Sequence, residues 1–317
     1  MKRRWALIGI VFSLLGVAFI GWRLATLDID WAAFSASPEI WIALGGAAAL
    51  FTLTGVSGGI GWHLLLRCFA RRTPTVIDNA GLVCFSQIGK YLPTNLVHFL
   101  GRHLLLKKWG VDHSPLLMAF TAEALVTASA VGLAGFMGGG QLFLDVLGAH
   151  MTLGTAALAV AGFAGLCGAA FMANRVINLK LELRDPKSLL ARGMAAFCLY
   201  LLNMGILGIM GLSLLGSVGA EDMAFSWMVA VVSISWLVGF ITPGASAGLG
   251  VRDALMVLML EIQLSPEAAL QATLLFRAAT VFGDLLVFAL GWAWWQQRGK
   301  QLFAAEEASS PAANPGD

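Results

Sequence analysis

Four cations and three acids fall inside otherwise apolar stretches of this chain: Lys90, Arg102, Arg252 and Arg277, with Glu123, Asp253 and Asp284. An ionisable side chain at bilayer depth costs roughly 2.5–3.5 kcal/mol on insertion scales, so its retention there points to a function. Lys90 and Arg102 lie on either side of a first interruption, Gly89-Lys90-Tyr91-Leu92-Pro93. Arg252 and Asp253 follow a second, Pro243-Gly244-Ala245-Ser246-Ala247-Gly248-Leu249-Gly250. Breaks at Gly89, Pro93, Pro243, Gly244, Gly248 and Gly250 would aim the N-termini of returning half-helices, with free N–H groups, at the middle of the protein. Excess positive charge plus helix N-termini make a site for an anion, most simply a phosphate, with guanidinium forks as clamps. The competing reading is structural: ion pairs pinning two halves together, Arg102 with Glu123 and Arg277 with Asp284, the latter two on one helical face. Both readings stand for Glu123 and Asp284, which are also conceivable proton carriers. Lys90 and Arg252, placed at the breaks, favour the ligand role.

Other chemistries fit less well. Gly244-Ala245-Ser246-Ala247-Gly248 matches G-x-S-x-G, but a nucleophile elbow needs a strand–turn–helix setting and a later histidine, and the last is His150. No Gly-Lys-Ser/Thr follows, so the stretch is not a P-loop. His98 and His103, five apart, do not share a helix face and read as interfacial or satisfied histidines, not metal ligands. Cys68, Cys84, Cys167 and Cys198 lack CxxC spacing and read as small buried hydrophobes. Met256 and Met259 read as packing. The expectation is therefore no cofactor, no metal and no enzyme.

The elements that must position these charges are membrane helices. Of 317 residues 58% are hydrophobic and 12% charged, with a mean hydropathy of +0.80, too little charge to cover a soluble domain of this length. A crossing needs roughly 20 mostly apolar residues. Such windows run Trp5–Trp22, Ile40–Leu66, Ser114–Gly138, Met151–Ala173, Ala191–Leu215 and Ala268–Trp295. No Ala-x-Ala-like cleavage site follows the first, which reads as an uncleaved span. Cations concentrate in alternate loops: Lys2, Arg3 and Arg4; Arg67, Arg71 and Arg72; Lys107 and Lys108; Arg175, Lys180, Arg184, Lys187 and Arg192; Arg298 and Lys300. The opposite loops hold Asp28, Asp30, Glu39, Asp145, Glu221 and Asp222, with Arg23 the only nearby cation. The positive-inside rule then predicts a bacterial inner-membrane protein with six full crossings and both termini cytoplasmic. Trp22, Trp31, Trp41, Trp227, Trp292, Trp294 and Trp295 suit an interfacial belt. Residues 1–300 form one transmembrane domain, and 301–317, rich in Ala, Ser and Pro, a disordered cytoplasmic tail.

Two apolar regions are too interrupted to cross. Val76–Leu106 has cations beyond both ends and should dip in from the cytoplasm and return; Met223–Leu260, flanked by acids, should dip in from the opposite side. In each, an arginine follows the break's proline by nine residues (Pro93 and Arg102, Pro243 and Arg252), and a Ser-Pro start follows (Ser114-Pro115, Ser265-Pro266). The unit span, re-entrant hairpin, span occurs twice, at about 40–138 and about 191–296, as an inverted-topology repeat typical of secondary transporters. The fold class expected is all-α integral membrane.

Gly89-Lys90-Tyr91-Leu92-Pro93, Gly101-Arg102 and Glu123 resemble the first signature of the lysylphosphatidylglycerol synthase/flippase transmembrane family. Gly248-Leu249-Gly250-Val251-Arg252-Asp253, preceded by Pro243-Gly244 and followed by Arg277, resembles its second; the likeness covers about residues 40–296. Thr94 stands where a glycine is common, and Asp253 where a glutamate is usual. The resemblance implies a flippase-like domain without the aminoacyltransferase of the fused synthases. It also implies a phospholipid or polyprenyl-phosphate-linked lipid as substrate, with Lys90, Tyr91, Arg102, Arg252 and Arg277 on its headgroup. Alternatives are a non-transporting partner that presents lipid to a glycosyltransferase or synthase and, less favoured, an enzyme acting on lipid phosphates.

Overall fold

The computed structural model describes residues 2–27, 37–91, 97–146, 186–220, 223–242, 248 and 250–300, and every regular element within them is helical. Helix α1 is Lys2–Thr26. Helix α2, Pro38–Phe69, starts with proline in its first turn, where the missing N–H goes unneeded. Helix α3, Val76–Ser86, is capped by Thr75, whose hydroxyl accepts from the Asp78 N–H, and it tightens into a 3₁₀ turn over Gln87–Tyr91. Helix α4 is Val97–Lys108 and α5 is His113–Val146. Then come α6, Pro186–Ser217, α7, Phe225–Ile241, and α8, Val251–Leu260. Helix α9, Pro266–Trp294, opens with the expected Ser265 cap on the Ala268 N–H and runs into a π turn over Trp295–Gly299.

Four of these helices, α2, α5, α6 and α9, are long and apolar enough to cross a membrane. Their outward faces carry large apolar side chains such as Ile42 (75% exposed), Met137 and Leu190, a surface suited to acyl chains and not to water. At 11, 12 and 10 residues, α3, α4 and α8 reach about 15–18 Å by the usual rise, too short to cross; α7 has 17 residues. The chain is an all-helical protein of membrane type.

The packing has an internal regularity. Helices α2 and α6 lie against each other; α9 packs on α2 and α3, and α5 on α6 and α7; α3 lies on α2, and α7 on α6. Exchanging α2 with α6, α3 with α7, α4 with α8 and α5 with α9 turns each of these contacts into another. The two crosswise contacts, α5 on α7 and α9 on α3, each use a glycine: a Cβ on Gly138 would strike the Ser226 backbone, and one on Gly291 the Phe85 backbone. Helix α1 stands outside this scheme and rests on α8, tied by the Arg23–Glu261 ion pair at 2.6 Å. The largest apolar core, with Met228, Trp227 and Phe276, fills the space among α2, α5, α6, α7, α8 and α9.

Some expectations change. Helix α5 starts at His113, one residue ahead of Ser114, so Ser114 is not its cap. Trp227 is buried, at 6% exposure, because it faces the core and not the interface. Cys68 and Cys84 are buried, but Cys198 is exposed on the outer face of α6. The span expected over Met151–Ala173, with Cys167, lies outside the described residues, as do Trp31, Glu221, Asp222 and the 301–317 tail. So do the break residues Pro93, Pro243 and Gly244, and Ser246.

Candidate functional site

A cavity of about 260 Å³ lies at the centre, with walls supplied by every described helix except α1. Lys90, Tyr91, Arg102, Arg252 and Arg277 all line it, together with Glu123 and Asp284. Asp253 is not in the wall itself but sits 3.8 Å behind Arg277. Residues up to 194 positions apart thus meet in one space.

Lys90 arrives on the 3₁₀ turn that ends α3, beside the buried Gly89. Its Nζ donates to Asp284 Oδ1 at 2.6 Å, and the Tyr91 hydroxyl donates to Asp284 Oδ2 at 2.6 Å. Both oxygens of the buried Asp284 are therefore taken by the turn, and the Arg277–Asp284 pair expected along α9 does not form. Seven residues of helix separate those two by about 10 Å along the axis, whereas the turn brings Lys90 and α8 brings Asp253 directly alongside. The Lys90 ammonium also lies 5.4 Å from the Phe51 ring centre.

Arg102, on α4, is 3% exposed and sits in an aromatic cage, its guanidinium 3.9 Å from the Trp62 ring centre, 4.7 Å from Phe120 and 5.4 Å from Phe99. It meets Glu123 with two nitrogens: Nη1 donates to Oε1 at 3.2 Å, and Nη2 donates to Oε2. This fork-to-fork pair is the one expected from sequence. Tyr200 on α6 donates its hydroxyl to Glu123 Oε1 at 3.5 Å.

Arg252 occupies the first turn of α8. Gly248 and Gly250 just before it have φ of 69° and 83°, the left-handed region that glycine enters without strain, so they set the sharp entry into the helix. The Gly250 N–H donates to Asp253 Oδ2 at 3.2 Å, so Asp253 serves both that terminus and Arg277. Gly239 on α7 lets the Arg252 stem pass close, and the guanidinium lies 5.5 Å from the Phe276 ring centre. Among the described residues no carboxylate stands within 4 Å of Arg252; Lys90, Arg102 and Arg277 each have one. The excess positive charge of the cavity, among the described residues, lies at Arg252, beside a helix N-terminus.

Three lining residues were missed from sequence. His98 faces the cavity instead of an interface, with a buried Nδ1 that has no partner among the described residues. Asn203 accepts from Ser57 at 2.6 Å and so bolts α6 to α2. Tyr200 is one of two tyrosines in the chain, and both line the cavity. Their rarity, and the isolation of Asn203 within an apolar run, were the available signals. His103 bonds His113 at 2.9 Å away from the cavity, and no metal-ligating cluster exists among the described residues. Neither family models nor curated proteins give a match to this chain.

Proposed function

We propose that this chain is a carrier that moves the phosphate-bearing headgroup of an anionic lipid across the bacterial inner membrane by alternating access. The observation that carries this reading is the convergence of both interrupted regions, with four cations, on one central cavity in which Arg252 has no carboxylate partner among the described residues. The swap regularity of the helix contacts supports two copies of a span–hairpin–span unit. The shortness of α3, α4 and α8 supports hairpins that enter and return, oppositely oriented, within six full crossings and with both termini cytoplasmic. The resemblance of the two motifs to the lysylphosphatidylglycerol synthase/flippase transmembrane family agrees with lipid as the cargo, either a phospholipid or a polyprenyl-phosphate-linked lipid.

The mechanism follows from the charges. An entering phosphate meets Arg252 and the α8 N-terminus first, since the other cations already hold carboxylates. It then competes with Asp284 for Lys90 and with Asp253 for Arg277, both on contacts to α9. Loading therefore loosens the ties between α9 and the two hairpins, which frees them to move relative to it.

The test is lipid movement in liposomes reconstituted with purified protein. Arg252→Ala should abolish it at unchanged yield of folded protein, and Arg252→Lys should impair it, because a point charge lacks the guanidinium fork. Full movement by Arg252→Ala would remove the shared anion site and the reading with it.

A further inference from the structure

Helix α1 turns one narrow face to the rest of the molecule. Gly16 is buried and Phe19, Ile20, Arg23 and Leu27 are half-buried, whereas Leu14, Val17 and Trp22 are exposed. Spacings of three and four residues put the covered positions on one helical stripe. That stripe rests chiefly on α8, the short helix that carries Arg252. We infer that α1 is a positioning brace for the central anion site, with Gly16 the residue that seats it on the break before α8 and so fixes where Arg252 points.

Three contacts carry the inference. At one end, a Cβ on Gly16 would overlap the Cα and the carbonyl of Gly250, so backbone lies directly on backbone. Gly250 caps α8 with a φ of 83°, two residues before Arg252, and its N–H donates to Asp253, which in turn meets Arg277. In the middle, Phe19, Ile20 and Leu27 pack on the fully buried Val257 of α8 and on Leu270 of α9. At the far end, Arg23 pairs at 2.6 Å with Glu261, the residue that closes α8. Its guanidinium also lies 5.5 Å from the Phe19 ring centre and 5.3 Å from that of Trp22.

The order of these contacts gives α1 its leverage. From Gly16 on Gly250 to Arg23 on Glu261, positions rise together along both helices, so α1 and α8 run parallel and α1 spans α8 from first turn to cap. Gly16 also falls near the middle of the 25 residues of α1. In the crossing expected of α1, that places the break, and Arg252 beside it, near mid-depth. Gly248 and Gly250 give the break two left-handed residues without side chains to hold it. Gly239 on α7 packs on the Arg252 stem, and Gly16 on Gly250 itself. A break held from these contacts presents its guanidinium in one direction, the preorganisation that anion binding gains from.

The effect on lipid movement rests on the carrier reading; the seating of α8 does not. Full-length protein in liposomes would be assayed with fluorescent phosphatidylglycerol and with a polyprenyl-phosphate analogue, and by amide hydrogen exchange read by mass spectrometry. Gly16→Ala is compared with Gly21→Ala, whose Cβ would meet open space on the same helix. Alanine favours a helix over glycine at both positions, so a loss confined to Gly16 belongs to the contact and not to α1 alone. Gly16→Ala should speed exchange over residues 250–256 about tenfold and raise the lipid fraction that gives half-maximal movement, with the maximal rate little changed. Gly21→Ala should alter neither. Arg23→Gln should speed exchange over 257–261 and Arg23→Lys should not, a second comparison that stands even where Gly16→Ala lowers the yield of folded protein. Unaltered exchange in α8, equal effects of the two glycine changes, or an unaltered half-maximal lipid fraction with α8 loosened would overturn the inference. If the wild-type chain moves neither probe, the carrier reading fails and the exchange comparison alone decides the brace.

Discussion

Asp284 receives Lys90 and Tyr91 from a turn almost two hundred positions earlier, and that choice of partners sets the character of the cavity. A buried carboxylate with both oxygens engaged is stable only while its cation stays. Lys90→Met should therefore lower stability by roughly 3–5 kcal/mol, the usual loss when one member of a buried pair is removed. The double change Lys90→Met with Asp284→Leu should recover most of that loss and still fail to move lipid. Thermal unfolding in detergent and the liposome assay would separate the two roles, and recovered movement in the double variant would assign the pair to structure alone. Lys90, Arg102, Arg252 and Arg277 stood out in sequence, because ionisable groups are rare in apolar runs, and all four line the cavity. Which acid each would meet was legible for Arg102 with Glu123 and not for Lys90 or Arg277. Helical spacing suggested Arg277 with Asp284, and only tertiary packing delivers Lys90 to Asp284 and Asp253 to Arg277.

At the scale of elements, α9 touches both interrupted regions and holds one end of two ion pairs. It approaches α3 through Gly291, which meets the Phe85 backbone, as α5 approaches α7 through Gly138, which meets Ser226. Gly291→Ala and Gly138→Ala should each cost about 1–3 kcal/mol through forced separation of these helices, whereas Gly193→Ala, with open space around it, should be neutral or slightly stabilising. Comparable loss at Gly193 would show that the effect is not one of helix approach. The four long helices were visible as apolar windows, and their ends agree to within a few residues except at the end of α5, which runs on from Gly138 to Val146. The short arms were visible through Gly, Pro and charge. The crosswise docking of each short arm onto the last helix of the other half was not, since no local pattern encodes which distant helix supplies the glycine.

For the molecule as a whole, sidedness is the property most open to a direct check. Reporter fusions at Arg72 and Lys108 should both report the cytoplasm, and one at Glu221 the outside. A Lys108 fusion reporting outside would turn the first interrupted region into a crossing and end the two-unit reading. That orientation is an expectation from the distribution of Arg and Lys; the joint contribution of α2 to α9 to one cavity needed the packing. The lone charge of Arg252 has an electrical consequence for such a carrier. Its six neighbouring charges cancel, so an unloaded cavity would cross the membrane field with one net positive charge, and one loaded with a monoanionic headgroup with none. A potential does work of up to about 2.3 kcal/mol per 100 mV on each charge that crosses it fully. It would therefore bias only the unloaded step. An inside-negative membrane would draw the unloaded cavity to face the cytoplasm, and so drive net export of lipid made there with no companion ion.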